Sequence, residues 1–143
     1  MNTFYLSPTG FSYHQYSLLV SSILAFGWTL SYAWPRYSFS IDYNLKSNAL
    51  KKIIRALSRT DIYIATLPGT CSGCIEIGLA YSLCEEVFLT ARNHVHFTQT
   101  GLSDAYLAEL PSIKKVCCEI EDIPFELKKY YLHLIDTRQQ LSL

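Results

Sequence analysis

The apolar and polar positions of this chain alternate between strand-like runs and amphipathic helical stretches. Residues 61–67 (DIYIATL) form an uninterrupted β-prone run, which is typical of a strand buried on both faces. Residues 44–58 place apolar side chains one helical turn apart, with lysine and arginine between them. The pattern predicts strands over 3–7, 28–33, 61–67, 86–91 and 113–118, and helices over 11–26, 44–58, 74–84, 104–110 and 124–139.

This order of elements predicts an α/β fold. Strands and helices alternate throughout, and short buried strands joined by helices are typical of parallel sheets. We therefore expect a three-layer sandwich of the Rossmann/flavodoxin-like kind, with a mainly parallel five-stranded sheet flanked by helices. No linker or repeat divides the chain, so residues 1–143 are expected to form a single domain.

Charge is distributed unevenly along the chain. Twelve Lys and Arg balance twelve Asp and Glu, yet none of them lies in residues 1–35. A signal peptide would begin with positive charge, which this region lacks. Serines and a threonine interrupt the uncharged stretch 16–34, which argues against a membrane helix. We therefore interpret this region as a strand–helix–strand crossover and expect no membrane partner. Zero net charge argues against nucleic-acid binding. Together with the apolar helix 11–26, it favours a homodimer or larger homo-oligomer.

Three loops follow predicted strands at the edge of the sheet where ligands of α/β proteins bind. They are residues 7–10 (SPTG), 34–37 (WPRY) and 68–73 (PGTCSG). The third offers two glycines and two hydroxyls, and Glu76 is expected in the first turn of the helix after it. Ordinary turn chemistry and the helix dipole also explain these residues, so composition alone leaves a structural role open.

Residues 61–69 (DIYIATLPG), followed by a small-residue loop and 76–80 (EIGLA), resemble the nucleoside 2-deoxyribosyltransferase-like superfamily. Residues 4–8 (FYLSP) and 27–34 are similar to its first two strands. The resemblance implies that Glu76 is a nucleophile that attacks the anomeric carbon of a nucleoside or nucleotide, without metal or cofactor. It also implies a set of substrate-binding residues on the three loops: Ser7, Pro8, Thr9, Trp34, Pro68, Gly69, Thr70, Ser72 and Gly73.

Two positions depart from the family pattern. Family members carry acidic residues where this chain has Ile53 and Thr70, so the leaving base lacks its usual proton donor. His14 and Asp42 are the candidates that loop placement offers instead. Two functions therefore stay open: an N-glycosidic hydrolase or transferase, and a non-catalytic module of the same fold that senses or sequesters a nucleotide.

The cysteines suggest a third function. Cys71 and Cys74 form a C-x-x-C at a strand-to-helix junction, an arrangement found in thiol-redox proteins. Five cysteines, an odd number, without a secretory signal indicate a reducing, cytoplasmic location. The remaining three, Cys84, Cys117 and Cys118, are interpreted as small core residues. The spacing of cysteines and histidines does not match a zinc site.

Overall fold

The computed structural model describes residues 2–39, 47–68, 71–98 and 110–141. Its five strands are β1 (Thr3–Leu6), β2 (Thr29–Leu30), β3 (Ile62–Leu67), β4 (Glu86–Ala91) and β5 (Ile113–Cys117). Its α-helices are α1 (Tyr13–Leu24), α2 (Ser47–Leu57), α3 (Cys71–Leu83), α4 (Val95–Thr98) and α5 (Ile123–Leu141). Short 3₁₀ turns occupy Arg36–Phe39 and Ile120–Asp122.

All neighbouring strands pair in parallel, in the order β2-β1-β3-β4-β5. The predicted three-layer α/β fold class is confirmed. The chain moves from β1 outward to β2 and then returns past β1 to β3. Connections therefore leave β1 and β3 in opposite directions, which opens a crevice at the carboxyl ends of these two strands. Ligands of doubly wound sheets bind in this crevice.

Asp61 sets the register between β1 and β3. Its carboxylate accepts a hydrogen bond from the Thr3 amide at 2.8 Å, and its own amide donates to the Thr3 carbonyl at 2.8 Å. The strands then pair Tyr5 with Tyr63. Because opposed residues of parallel strands point to the same face, both tyrosines lie on one side of the sheet.

The uncharged N-terminal region is the predicted crossover β1–α1–β2. Ser12 and Gln15 form a reciprocal capping box, so α1 begins at Tyr13, two residues later than the pattern predicted. Gly27 follows the helix with φ +85°, as expected of a residue that reverses the chain. Strand β2 is shorter than predicted because the chain leaves the sheet after Leu30. Within the described residues, no helix combines the length and apolarity needed to cross a bilayer.

The expectations for the second half have mixed outcomes. Helix α4 follows β4, where the sequence pattern predicted no helix before residue 104, and the predicted helix 104–110 lies outside the described residues apart from Leu110. Leu127 of α5 is buried, and Phe125 is 68% exposed. Cys117 is exposed rather than part of the core, because alternate side chains of the edge strand β5 face solvent. Cys84 and Cys118 are half-buried.

We expect Gly10→Ala to destabilise the fold more than Gly27→Ala. Both glycines have positive φ, which costs an alanine roughly 1–2 kcal/mol. Only at Gly10 would the new methyl group also meet another atom, the Thr66 Cγ2 at 2.8 Å, whereas nothing lies within 4 Å at Gly27. Urea unfolding of both variants measures the difference. Equal losses would contradict the close packing of the β1–α1 loop on β3.

Candidate functional site

The centre of the candidate site is a buried carboxylate held by two tyrosine hydroxyls. Tyr5 of β1 donates to Glu76 Oε2 at 3.0 Å, and Tyr63 of β3 donates to Oε1 at 2.8 Å. The tyrosine rings stack with their centroids 5.5 Å apart. Glu76 is 8% exposed and is the only buried charged side chain among the described residues. Among the described residues, β1 and β3 thus hold a single buried carboxylate through their tyrosines.

Glu76 is buried because it occupies a core position of α3. Gly73, Glu76, Ile77 and Ala80 are the buried positions along this helix, and their spacing of three and four residues defines one helical face. The helix begins at Cys71, so Glu76 lies in its second turn. The sequence pattern had placed Glu76 in the first turn. The helix dipole falls off within the first turn. Tyrosine hydroxyls, rather than helix amides, therefore hold the carboxylate.

The protonation of the site follows from its burial. Loss of solvent raises the pKa of Glu76, while hydrogen bonds from Ser7, Tyr63 and Tyr5 act in the opposite direction. The pKa of each tyrosine is raised as well, first by burial and then by the charge of Glu76. Both hydroxyls therefore stay protonated and keep donating to the carboxylate.

A second row of hydrogen bonds supports Tyr5. The Trp34 indole N–H donates to the Tyr5 hydroxyl at 3.0 Å, and the Trp34 amide donates to the Tyr16 hydroxyl at 3.1 Å. Burial raises the pKa of Tyr16 to about 12. Trp34 was expected to bind the substrate, but it is only 6% exposed and its indole N–H orients Tyr5. A contact between Trp34 and the substrate stays a prediction. Tyr37, the other aromatic residue of this loop, is 70% exposed.

The other predicted site residues have different outcomes. Ser7 is buried and its side chain hydrogen-bonds to Glu76. Pro8 and Thr9 are half-buried in the loop after β1, Pro68 is exposed at the end of β3, and Gly73 is buried in α3. Gly69 and Thr70 lie outside the described residues, and Ser72 is described by its backbone alone. The structure thus brings Ser7 to Glu76 and Trp34 to its partner Tyr5, and the ligand contacts stay predictions.

Sequence reasoning missed Tyr5, Tyr16 and Tyr63. The sequence held a signal for two of them, because Tyr5 and Tyr63 place hydroxyl groups inside strands that consist mostly of apolar residues. A buried tyrosine hydroxyl needs a hydrogen-bond partner, so two such residues on neighbouring strands indicate a buried polar group between them. The partner could be named only after the register was known.

No candidate proton donor among the described residues belongs to this cluster. Ile53, which stands where the family has an acid, is 2% exposed and belongs to the apolar core of α2. His14 is exposed on α1, and Asp42 lies outside the described residues. Glu76 therefore has no second carboxylate beside it in the described part of the chain.

The thiol-redox role of the C-x-x-C segment stays a prediction. Cys74 is half-buried, and Cys71 is described by its backbone alone. In the described ranges no group of three or more His, Cys, Asp or Glu side chains is close enough to hold a metal ion.

Comparison with known proteins supports the fold. No family model and no curated protein matches the chain. The solved structures that are similar to this chain include the following two. A CMP N-glycosidase, BcmB, of Clostridium botulinum is 14% identical, with 90% of this chain and 100% of that chain covered at a TM-score of 0.61. A conserved protein from Enterococcus faecalis V583 is 17% identical, with 91% and 99% covered at a TM-score of 0.61. At these identities, the likeness shows a shared fold over nearly the whole chain.

We expect Tyr63→Phe to raise the pKa of Glu76 further, because it removes a donor that stabilises the ionised form. Carbon-detected NMR titration of the Glu76 carboxyl should show its midpoint moving to higher pH. Tyr131→Phe is the matched control, since the Tyr131 hydroxyl is buried with no hydrogen-bond partner among the described residues. An unchanged midpoint in Tyr63→Phe would contradict the hydrogen bond.

The same pKa shift has a consequence for stability. A carboxyl whose folded-state pKa is raised binds its proton more tightly in the native state than in the unfolded state. The contribution of Glu76 to the free energy of unfolding therefore increases as the pH falls below the native-state pKa of this carboxyl. Urea unfolding across the pH range of that titration measures the contribution, which Glu76→Gln should remove.

Proposed function

We propose that this chain is an N-glycosidase that acts on a nucleoside or nucleotide, with Glu76 as its nucleophile. The observation that carries the proposal is the buried, doubly hydrogen-bonded carboxylate at the β1/β3 crevice. Burial of a charged group is unfavourable unless the group is paired, and here the pairing comes only from hydroxyl donors. Strongly perturbed carboxylates in clefts are characteristic of functional sites.

The reaction has two steps. A Glu76 carboxylate oxygen attacks the anomeric carbon, so that a carbon–oxygen ester bond forms while the carbon–nitrogen bond to the base breaks and its electron pair stays with the base. The base takes up a proton. Water then attacks the same carbon, adds its hydroxyl to the sugar, restores the carboxylate and returns the proton that the base removed. Two displacements on one carbon give net retention of configuration.

The tyrosines position the nucleophile through both steps. Their two hydroxyls bind one carboxylate oxygen each, so the carboxylate plane is fixed relative to the crevice. A weakly solvated carboxylate is more reactive than one surrounded by water, and the hydroxyl donors lower the pKa of Glu76 against the larger effect of its burial. Fixed orientation of a nucleophile lowers the entropic part of the barrier.

The substrate class is suggested by the similar structure and by the loops. The structure from Clostridium botulinum is named a CMP N-glycosidase. In this chain, Ser7, Pro8 and Thr9 would border the base, and Trp34 or Tyr37 would stack on it. The sugar or its phosphate would lie against the loop that the sequence assigns to ligand binding: Pro68, Gly69, Thr70, Ser72 and Gly73.

One observation favours a second candidate function, a nucleotide-binding module without turnover. Ile53 is packed in the core where the family has an acid, and no other buried carboxylate accompanies Glu76 in the described residues. A fixed carboxylate alone would bind sugar hydroxyls without expelling the base.

We expect Glu76→Gln to abolish release of free base, because the amide cannot act as the nucleophile. The assay mixes the protein with CMP, cytidine, the deoxynucleoside monophosphates and their nucleosides, and measures free base by chromatography. Glu85→Gln, an exposed glutamate before β4, is the matched control and should keep wild-type turnover.

Three outcomes separate the candidates. Base release that is lost only in Glu76→Gln supports the nucleophile. Unchanged release in that variant would disprove it. If wild-type protein releases no base but CMP raises its melting temperature, the binding module is favoured.

We also propose that the chain forms a homodimer or larger homo-oligomer. Helix α1 carries no charge, and Leu18 and Leu24 are 56% and 44% exposed on its solvent face. Light scattering should give a mass of at least two chains, and Leu18→Glu should reduce it to one. Leu132→Glu, which changes a similarly exposed leucine of α5, should leave the mass unchanged. A monomeric wild-type protein would contradict the proposal.

A further inference from the structure

The negative charge of the candidate site is not balanced within the described residues. Glu76 is 8% exposed, and the hydrogen bonds to its carboxylate come from hydroxyl groups, those of Tyr5, Tyr63 and Ser7. No lysine or arginine of the described residues forms an ion pair with it. A buried carboxylate without a cation favours a positively charged ligand.

We propose that the substrate supplies the missing charge, and that its base is cationic at the nitrogen bonded to the sugar. An N-glycosyl pyridinium, the nucleoside of a pyridine base, has this chemistry. The inference rests on the proposed function and names the substrate class of the same site.

The described residues around Glu76 offer no acid to a leaving base. Ile53, at the position where the family carries an acidic residue, is 2% exposed and belongs to the apolar core. Burial and the charge of Glu76 raise the pKa of Tyr5 and of Tyr63, so neither hydroxyl releases its proton readily. A neutral base departs as an anion unless it is protonated, whereas a cationic base departs as a neutral molecule. A cationic base therefore needs no acid.

The reaction of such a substrate balances without a proton donor. A Glu76 carboxylate oxygen attacks the anomeric carbon, and the new carbon–oxygen bond forms as the carbon–nitrogen bond breaks. The electron pair of the broken bond neutralises the ring nitrogen, so the base leaves as a neutral pyridine. Water then attacks the same carbon, its hydroxyl goes to the sugar, the carboxylate is restored and one proton passes to solvent. Neither step takes a proton from the protein.

Aromatic rings beside the carboxylate also favour a cation. The Tyr5 ring stacks on that of Tyr63 with centroids 5.5 Å apart, and on that of Tyr32 with centroids 6.3 Å apart. Tyr32 packs edge-on against Trp34 at 5.1 Å and is half-buried, so part of this group of rings is accessible to solvent. The faces of aromatic rings carry partial negative charge and attract cations. Arg36 of the same loop is exposed, so solvent screens its charge.

A cationic ligand also activates the nucleophile. Burial raises the pKa of Glu76, and a neighbouring positive charge lowers the pKa of a carboxyl. Binding of a cationic base therefore favours the ionised carboxylate that attacks the sugar, whereas a neutral nucleoside provides no such charge. The selectivity thus acts on binding and on the chemical step.

The first test compares the turnover of a cationic and a neutral nucleoside. Wild type, Glu76→Gln and Glu85→Gln are mixed with nicotinamide riboside, whose base is a pyridinium, or with cytidine, and free base is measured by chromatography. Each rate is divided by the rate of uncatalysed hydrolysis of the same compound, which corrects for intrinsic reactivity. We expect the acceleration for nicotinamide riboside to exceed that for cytidine roughly 10²- to 10⁴-fold, the usual contribution of an acid–base group. Glu76→Gln should lose the acceleration, and Glu85→Gln, which changes an exposed glutamate, should match wild type.

The second test compares binding with an analogue that is not cleaved. The carbocyclic analogue of nicotinamide riboside lacks the ring oxygen, and it can be prepared as a cationic pyridinium or as a neutral dihydropyridine of similar shape. We expect the cationic form to raise the wild-type melting temperature more than the neutral form does. This difference should disappear in Glu76→Gln and persist in Glu85→Gln, because only the first variant removes the charge that faces the ligand.

The failure of this inference differs from failure of the proposed reaction. An acceleration for cytidine equal to or above that for nicotinamide riboside would overturn the cationic substrate and leave the Glu76 chemistry intact. If neither compound releases base, the proposed reaction fails, and the melting temperatures decide the inference. A larger stabilisation by the cationic form that depends on Glu76 supports it. Equal stabilisation by both forms, no stabilisation, or a difference that persists in Glu76→Gln overturns it.

Discussion

The central constraint of this structure is the burial of one carboxylate between two tyrosine hydroxyls. Glu76 occupies a position of α3 that the packing of helix on sheet would otherwise give to an apolar residue. Burying an ionisable group is costly unless its charge is compensated, and here Tyr5, Tyr63 and Ser7 supply the compensating hydrogen bonds. The rest of the site follows from this arrangement. Trp34 orients Tyr5, and Asp61 sets the strand register that places the two tyrosines side by side.

The position of this carboxylate in the fold connects packing with function. Strand order reverses between β1 and β3, and Tyr5 and Tyr63 come from these two strands. The hydroxyls that stabilise the buried charge therefore lie beneath the crevice where ligands of such sheets bind. A group that served only the core would not need this location. The same features suit a nucleophile that must be fixed, ionised and poorly solvated.

Sequence predicted the layers of the fold more completely than the arrangement of the site. Runs such as residues 61–67 identified the buried strands, because such continuous apolar runs occur mainly in parallel sheets. The resemblance of residues 61–80 to a known family singled out Glu76, whose role as a nucleophile stays a prediction. What holds Glu76 could not be predicted, because Tyr5 lies 71 positions away and contacts it only through the register of three elements. The start of α3 was misplaced for a local reason: the glycines and serine of residues 68–73 resembled a turn, yet the helix begins at Cys71.

The most direct test of the central claim is a crystal structure of the Glu76→Gln variant with CMP bound, since this variant should bind the nucleotide without cleaving it. We expect the anomeric carbon of the sugar to lie next to the substituted amide side chain at position 76, with Tyr5 and Tyr63 still in contact with that side chain. A nucleotide bound away from the β1/β3 crevice, or bound there with its base rather than its sugar against position 76, would contradict it.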